Sequence, residues 1–212
     1  MREQLFALVL RLARLPSLPS PREKGGFSDS ADALLRGEPV EIPEPRVDFL
    51  RWLGANRGVV FHGSPRSDLT ELSTERQSSD ATEWGNQQAV YASSDPVWAI
   101  YFAVLRRDNG WQGTRNGSLG LRGKRFYFFA HNRGSASVER FGPGSLYLLA
   151  PESFEAAPLL GGVVDSAHLV SRVPVKPLAR IDVGPEDFPF RDRIAFYRDR
   201  EPLWVTLLRK GS

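Results

Sequence analysis

Two short apolar runs end in residues whose side chains could bind or activate a ligand. The first run, Val59–Phe61, leads into His62–Ser64, and the second contains Tyr91 and ends at Ser93. An imidazole can hold a proton or accept one, a glycine lets a backbone approach closely, and a tyrosine offers an aromatic face. Apolar runs bounded by such residues are typical of strands. The two strand ends therefore predict one site.

The segments around these runs predict how the site is held. Residues 65–89 between them are mostly polar, and a loop of this length in a compact domain is uncommon unless it is functional. We expect it to border the ligand. Ser94 or Asp95 can cap a helix that has Pro96 at its first position. Apolar residues on two faces of that helix predict burial between layers.

The later chain predicts more strands and few helices. We expect strands over Arg125–His131, Ser145–Ala150, Leu169–Ser171 and Val173–Val183, and an irregular excursion over Arg106–Lys124. Short strands that are separated by turns favour an antiparallel α+β fold over a doubly wound parallel sheet.

The first 56 residues predict an extension that is helical and rich in proline, ahead of a domain over residues 57–212. Leucine and valine spacing in Met1–Leu15 predicts an amphipathic helix, which is docked on the protein, bound to a membrane surface or partner, or part of a cleaved signal. Its apolar run is too short to span a bilayer, so we expect no transmembrane segment. Pro16–Pro45 reads as a linker with a short helix at Ser28–Arg36, and Val47–Asn56 predicts another helix.

Composition excludes several classes of site. The 212 residues include no cysteine, which rules out disulfides, thiolate zinc sites and a cysteine nucleophile. The three histidines lack the spacing of metal ligands, so we predict no metal site. A net charge of +3 is too small for a dedicated duplex binder and favours an anionic small ligand or weak RNA contact.

The pattern over residues 59–105 resembles the ADP-ribosyltransferase superfamily. The matching features are His62–Ser64 at the end of one strand, Tyr91–Ser93 at the end of a second, and Ser94–Pro96 at the start of a helix that continues through Ala99 to Ala103. They are most similar to the His–Tyr–Glu branch, which includes diphtheria toxin and the poly(ADP-ribose) polymerases. RNA 2′-phosphotransferase is a further relative. The resemblance implies split antiparallel β-sheets with flanking helices, and NAD as the substrate.

The resemblance also implies roles for individual residues. His62 would bind the adenosine-side ribose, the Gly63 backbone would bind the carboxamide, and Tyr91 would stack on nicotinamide. The third family residue is a glutamate, and His168 occupies the matching position. The implied catalytic residues are His62, Tyr91 and His168, and the implied NAD-binding residues are His62, Gly63, Ser64, Tyr91 and Ser93. Alternative carboxylates are Asp165, which is the best placed, and Glu139, Glu152 and Glu155.

The resemblance therefore implies an NAD-dependent ADP-ribosyltransferase, such as a toxin or effector that modifies protein or nucleic acid. The alternatives are an NAD glycohydrolase, an enzyme like RNA 2′-phosphotransferase, and a catalytically degenerate module that binds a nucleotide or a partner. We expect a cytoplasmic protein, with a secreted effector as the alternative. A partner or antitoxin would contact the N-terminal extension.

Overall fold

The computed structural model of the protein describes residue 4 and residues 14–75, 87–108, 110–135, 140–160 and 162–208. Within these residues the chain forms an α+β fold with two sheets, as the sequence predicts. The α-helices are α1 (Phe27–Leu35), α2 (Arg46–Arg57), α3 (Pro96–Val104) and α4 (Leu203–Leu208). The strands are β1 (Ser17–Leu18), β2 (Val60–Ser64), β3 (Val90–Ser93), β4 (Thr114–Leu121), β5 (Lys124–Asn132), β6 (Gly144–Leu149), β7 (Glu155–Ala156), β8 (His168–Ser171), β9 (Ala179–Val183) and β10 (Ala195–Tyr197).

The larger sheet holds the two strands that open the sequence pattern. It has six strands in the order β7-β8-β3-β2-β6-β9, and every neighbouring pair is antiparallel. The smaller sheet is built around β5, which pairs with β4 on one edge and with β1 and β10 on the other. Only the β10 pairing is parallel. Both sheets are thus largely antiparallel.

Helix α3 lies between the two sheets, as its two apolar faces predict. Asp95 caps its first turn by accepting a hydrogen bond from the Val97 amide at 3.3 Å. On the side of the smaller sheet, the Tyr101 ring packs 4.6 Å from Phe129 of β5. The main core surrounds α3 with side chains from both sheets and from α1 and α2.

Two glycines let the larger sheet approach α3 closely. A Cβ atom on Gly63 of β2 would lie 1.8 Å from the carbonyl oxygen of Ala99, and one on Gly144 of β6 would lie 2.1 Å from that of Ala103. A Cβ atom in a folded protein does not come within 3 Å of a non-bonded heavy atom, so no side chain fits at either position. The helix contributes small alanines to the same contact. Glycine and alanine together set the distance between α3 and the sheet.

The prediction of an irregular excursion over Arg106–Lys124 is wrong, because β4 occupies Thr114–Leu121. Strand β4 pairs with β5 along its full length, from Thr114 opposite His131 to Leu121 opposite Lys124. Both residues of the connecting turn have positive φ, 52° at Arg122 and 70° at Gly123, as in the type I′ turns that match strand twist. Pairing with the apolar strand β5 therefore holds β4 as a strand, although β4 itself is polar and rich in glycine.

The described part of the N-terminal extension packs on the rest of the chain. The predicted helices at Ser28–Arg36 and Val47–Asn56 are confirmed as α1 and α2, and both contribute buried side chains to the main core. Strand β1 pairs with β5. The predicted helix over Met1–Leu15 lies almost entirely outside the described residues. The division at residue 56 stays a prediction, and no described helix has the length and apolarity to cross a membrane.

Burial of His131 on β5 predicts that stability falls in mild acid. The side chain is 3% exposed, its Nε2 lies 3.1 Å from the Tyr101 hydroxyl, and burial lowers its pKa from 6.5 to about 4. The unfolded chain therefore binds the extra proton first as the pH drops. The stabilisation is complete above about pH 6.5 and is lost towards pH 4, at roughly 1.4 kcal/mol per pH unit.

Urea unfolding at pH 7 and pH 5 checks this expectation. Between these pH values, we expect the free energy of unfolding to fall by about 2 kcal/mol less for His131→Asn than for the wild type. The other histidines and the carboxylates are common to both proteins, so they cancel in the comparison. An equal loss in the two proteins would show that His131 does not titrate as the burial indicates.

Candidate functional site

The three candidate catalytic residues lie on three consecutive strands of the larger sheet. His62 is on β2, Tyr91 is on the neighbouring β3, and His168 begins β8 on the far side of β3. The register places Ser93 opposite both Phe61 of β2 and His168 of β8. Residues far apart in sequence are therefore brought to one region of the sheet.

His62 bridges the junction between β2 and β3. Its Nδ1 lies 2.7 Å from the backbone oxygen of Tyr91. A carbonyl oxygen only accepts hydrogen bonds, so Nδ1 must carry the proton, and Nε2 of the neutral ring is an acceptor. The two strands share a single paired position, Phe61 with Ser93. Next to this pair, the hydrogen bond from the His62 side chain to the Tyr91 backbone links the two strands.

Tyr91 and His168 form an aromatic pair. Their ring centroids are 5.5 Å apart with an angle of 36° between the planes, and the Trp98 ring of α3 stands edge-on to His168 at 5.6 Å. The Tyr91 hydroxyl accepts a hydrogen bond from the Gln87 amide and donates one to the Gln87 carbonyl oxygen, both at 2.7 Å. These bonds fix the ring against the loop that leads into β3.

The rings of His62 and Tyr91 lie on different sides of the sheet. The His62 ring is 6.4 Å from Tyr147, which packs in a small apolar cluster with Val90 and Ala92. Side chains alternate along a strand, so Tyr91 points away from that cluster and towards α3, where it meets His168. The structure joins Tyr91 with His168 directly, and joins His62 to Tyr91 through the backbone.

The structure gives the three smaller residues of the pattern local contacts. Gly63 faces α3, as described above. The buried Ser93 hydroxyl accepts a hydrogen bond from the Asp95 amide at 2.9 Å, and the buried Ser64 hydroxyl accepts one from the Arg66 amide at 3.2 Å. These contacts shape the turns that follow β2 and β3. Ligand contacts by these residues stay predictions.

Two of the alternative carboxylates are ion-paired near β8. Asp165 forms a salt bridge with Arg125 and accepts a hydrogen bond from the Ala167 amide at 2.7 Å. Glu155 of β7 sits beside β8, opposite Val170, and is bound at 2.7 Å by Arg172. Glu152 is exposed, and Glu139 lies outside the described residues. Each paired carboxylate already has a cation to neutralise it.

A buried polar network lies behind the start of α3, and no sequence pattern predicts it. Asp95 is 3% exposed and its Oδ2 accepts a hydrogen bond from Ser118 at 2.5 Å, while Tyr127 donates to Oδ1 at 3.2 Å. Arg125 donates to Ser118 at 3.2 Å. Burial raises the pKa of Asp95 despite the nearby Arg125. The sequence predicts only the capping role of Asp95, because the side chains that hydrogen-bond to its carboxylate come from the smaller sheet.

Among the described residues, no group of three or more histidine, aspartate or glutamate side chains is placed to hold a metal ion. Comparison of the chain with family models, with curated proteins and with solved structures finds no match in any of the three.

Proposed function

We propose that the protein binds NAD at the junction of β2, β3 and β8 and acts as an ADP-ribosyltransferase. The observation that carries the proposal is the contact between the Tyr91 and His168 rings, 5.5 Å apart, beside the link from His62 to the Tyr91 backbone. The residues that the resemblance assigns to the second and third positions of the His–Tyr–Glu pattern are therefore in contact. The single pairing between β2 and β3 is consistent with the split sheet of that superfamily.

The chemistry of the side chains fits the parts of NAD. Tyr91 is a half-buried ring held by two hydrogen bonds, which suits stacking on a planar nicotinamide. His62 has its proton on Nδ1, so its Nε2 can accept a hydrogen bond from a ribose hydroxyl. Tyr91 would hold the nicotinamide, and His62, on the other side of the sheet, would hold the adenosine-side ribose.

The proposed reaction breaks the bond between the nicotinamide nitrogen and the ribose carbon. Nicotinamide leaves with the bonding electrons, and a nucleophile of the acceptor attacks the ribose carbon and then gives up its proton. The ribose becomes cation-like on the way, so groups that stabilise positive charge accelerate the step. A neutral His168 can accept a hydrogen bond from a ribose hydroxyl but supplies no negative charge. We therefore expect slow transfer.

Incubation of the purified protein with NAD tests the proposal. Isothermal titration measures NAD binding, and chromatography measures the release of nicotinamide in the presence of water alone or of candidate protein and nucleic-acid acceptors. Release together with ADP-ribose on an acceptor supports transfer, whereas release to water alone favours a glycohydrolase. Binding without release favours a degenerate module, and no binding overturns the proposal.

Replacement of His168 by glutamate should raise the rate of nicotinamide release. The carboxylate would supply the negative charge that a cation-like ribose needs, at a position already beside Tyr91. We expect an increase of about tenfold or more, since a charge-assisted contact is worth roughly 1.5–3 kcal/mol. His168→Gln controls for loss of the imidazole, and Lys176→Glu controls for a carboxylate added at an exposed position outside the site. A fall in rate for both His168 variants would contradict a role for added charge.

A further inference from the structure

A second region of the protein has the features of an anion site. A cavity of about 500 Å³ lies between α2, the start of α3, the β4–β5 turn and the segment after β1. None of the residues of the candidate NAD site lines it. Its volume is within the range of about 300–1,000 Å³ that is typical of small-molecule sites.

Basic side chains outnumber acidic ones around this cavity. Four cations line it, namely Arg51, Arg122, Lys124 and Arg125, against two carboxylates, Asp95 and Asp165. Asp165 is neutralised by its salt bridge with Arg125. Asp95 is enclosed and hydrogen-bonded by Ser118 and Tyr127, and burial raises its pKa, which reduces its tendency to carry charge. The remaining charge in the cavity is positive.

Two of these cations have no acidic partner among the residues that the structure describes. In the described chain, no carboxylate lies within ion-pair distance of Arg51 or Lys124. Arg51 on α2 donates a hydrogen bond to the Pro19 carbonyl oxygen, and Lys124 is exposed at the start of β5. The start of α3 is already capped by Asp95, so the positive charge open to a ligand comes from the side-chain cations.

The segment that follows β1 forms one wall of the cavity. Ser20 donates a hydrogen bond to the Gly123 carbonyl oxygen at 3.0 Å, which ties the segment to the β4–β5 turn. A smaller cavity of about 380 Å³ shares Pro19–Pro21 and Arg51 and adds Arg22 and the ion pair of Lys24 with Asp48. The larger cavity is also lined by the apolar side chains of Leu18, Leu121 and Val163. Cations and apolar walls together match a ligand with charged and apolar parts.

We propose that the larger cavity binds a phosphorylated ligand of nucleotide size, with Arg51 and Lys124 contacting its phosphates. Guanidinium and ammonium groups are the usual protein partners of phosphate oxygens. The apolar wall gives the base or sugar a surface to pack against. The inference does not rest on the proposed NAD chemistry, because the ligand needs no nicotinamide.

Isothermal titration of the full chain with ADP, which lacks nicotinamide, tests this inference. We expect ADP to bind, and Arg51→Gln and Lys124→Gln each to raise the Kd about tenfold, since one charge-assisted hydrogen bond is lost in each. Lys176→Gln is the matched control, because Lys176 is exposed and lines neither cavity. It removes the same charge and should leave the Kd unchanged. Thermal melts confirm that each variant folds.

Three results would overturn the inference. The first is failure of ADP to bind the wild type, and the second is an equal effect of all three substitutions. The third is a Kd for inorganic pyrophosphate as low as that for ADP, which would show that the nucleoside part does not contribute to binding. Weaker binding of pyrophosphate than of ADP supports it, as does weakening of ADP binding when the salt concentration is raised.

Discussion

Replacement of Gly63 by alanine is expected to destabilise the protein by at least about 3 kcal/mol, at the upper end of the cost of overpacking a core. The added Cβ would meet the Ala99 carbonyl oxygen at 1.8 Å and the Ala103 amide nitrogen at 2.8 Å. Both atoms belong to the backbone of α3 and cannot rotate away as a side chain would. The helix would have to move off the sheet and open the main core.

Urea unfolding followed by tryptophan fluorescence measures this effect. Gly117→Ala is the matched control, because Gly117 also lies in a strand but has open space at the Cβ position. Alanine there should be neutral or stabilising by up to about 1 kcal/mol, since glycine weakens a strand interior. Gly144→Ala, with its 2.1 Å contact to Ala103, should behave like Gly63→Ala. Equal stabilities for the Gly63 and Gly117 variants would contradict the packing argument.

Replacement of Tyr91 by alanine is expected to weaken NAD binding by about 10-fold to 100-fold, because stacking of a base on an aromatic side chain is worth roughly 1–3 kcal/mol. The ring is the largest aromatic surface that the sequence pattern assigns to the ligand. Tyr91→Phe keeps the ring and loses both hydrogen bonds to Gln87. It should therefore bind NAD within a few fold of the wild type.

Titration calorimetry with NAD separates these variants. Trp204→Ala is the control for loss of an aromatic side chain, because Trp204 is 65% exposed on α4. It should leave the Kd unchanged. If Tyr91→Ala bound NAD as tightly as the wild type, the ring would have no stacking role, and the proposed site would have to be abandoned.

Local pattern was enough to predict most of the elements around the candidate site. Apolar runs with polar ends predicted β2, β3, β5, β6 and β8, and Asp95 with Pro96 predicted the start of α3. Strand β4 was missed because its glycines and polar residues resemble a loop, and its pairing with β5 decides its structure. Tertiary contacts, which single-sequence patterns do not contain, also place β1 beside β5.

Gly63 illustrates what a residue type can and cannot reveal. The sequence correctly indicates that another group comes close to its backbone, because only glycine leaves that space. It does not indicate which group, and in the structure a helix backbone lies there. The network around Asp95 has the same limit, since Ser118 and Tyr127 come from strands of the other sheet. The residue type indicates what a side chain or backbone can do chemically, whereas the fold determines which groups it contacts.

The single paired position between β2 and β3 makes that junction easy to open. A full ladder between two strands would have to be broken bond by bond to admit a ligand. Here a hydrogen bond from His62 to the Tyr91 carbonyl oxygen links the two strands beyond Phe61 and Ser93. One such bond contributes about 0.5–1.5 kcal/mol. If the proposed site binds NAD, opening the two strands at this point would therefore cost little energy, while the outer strands of the sheet stay paired.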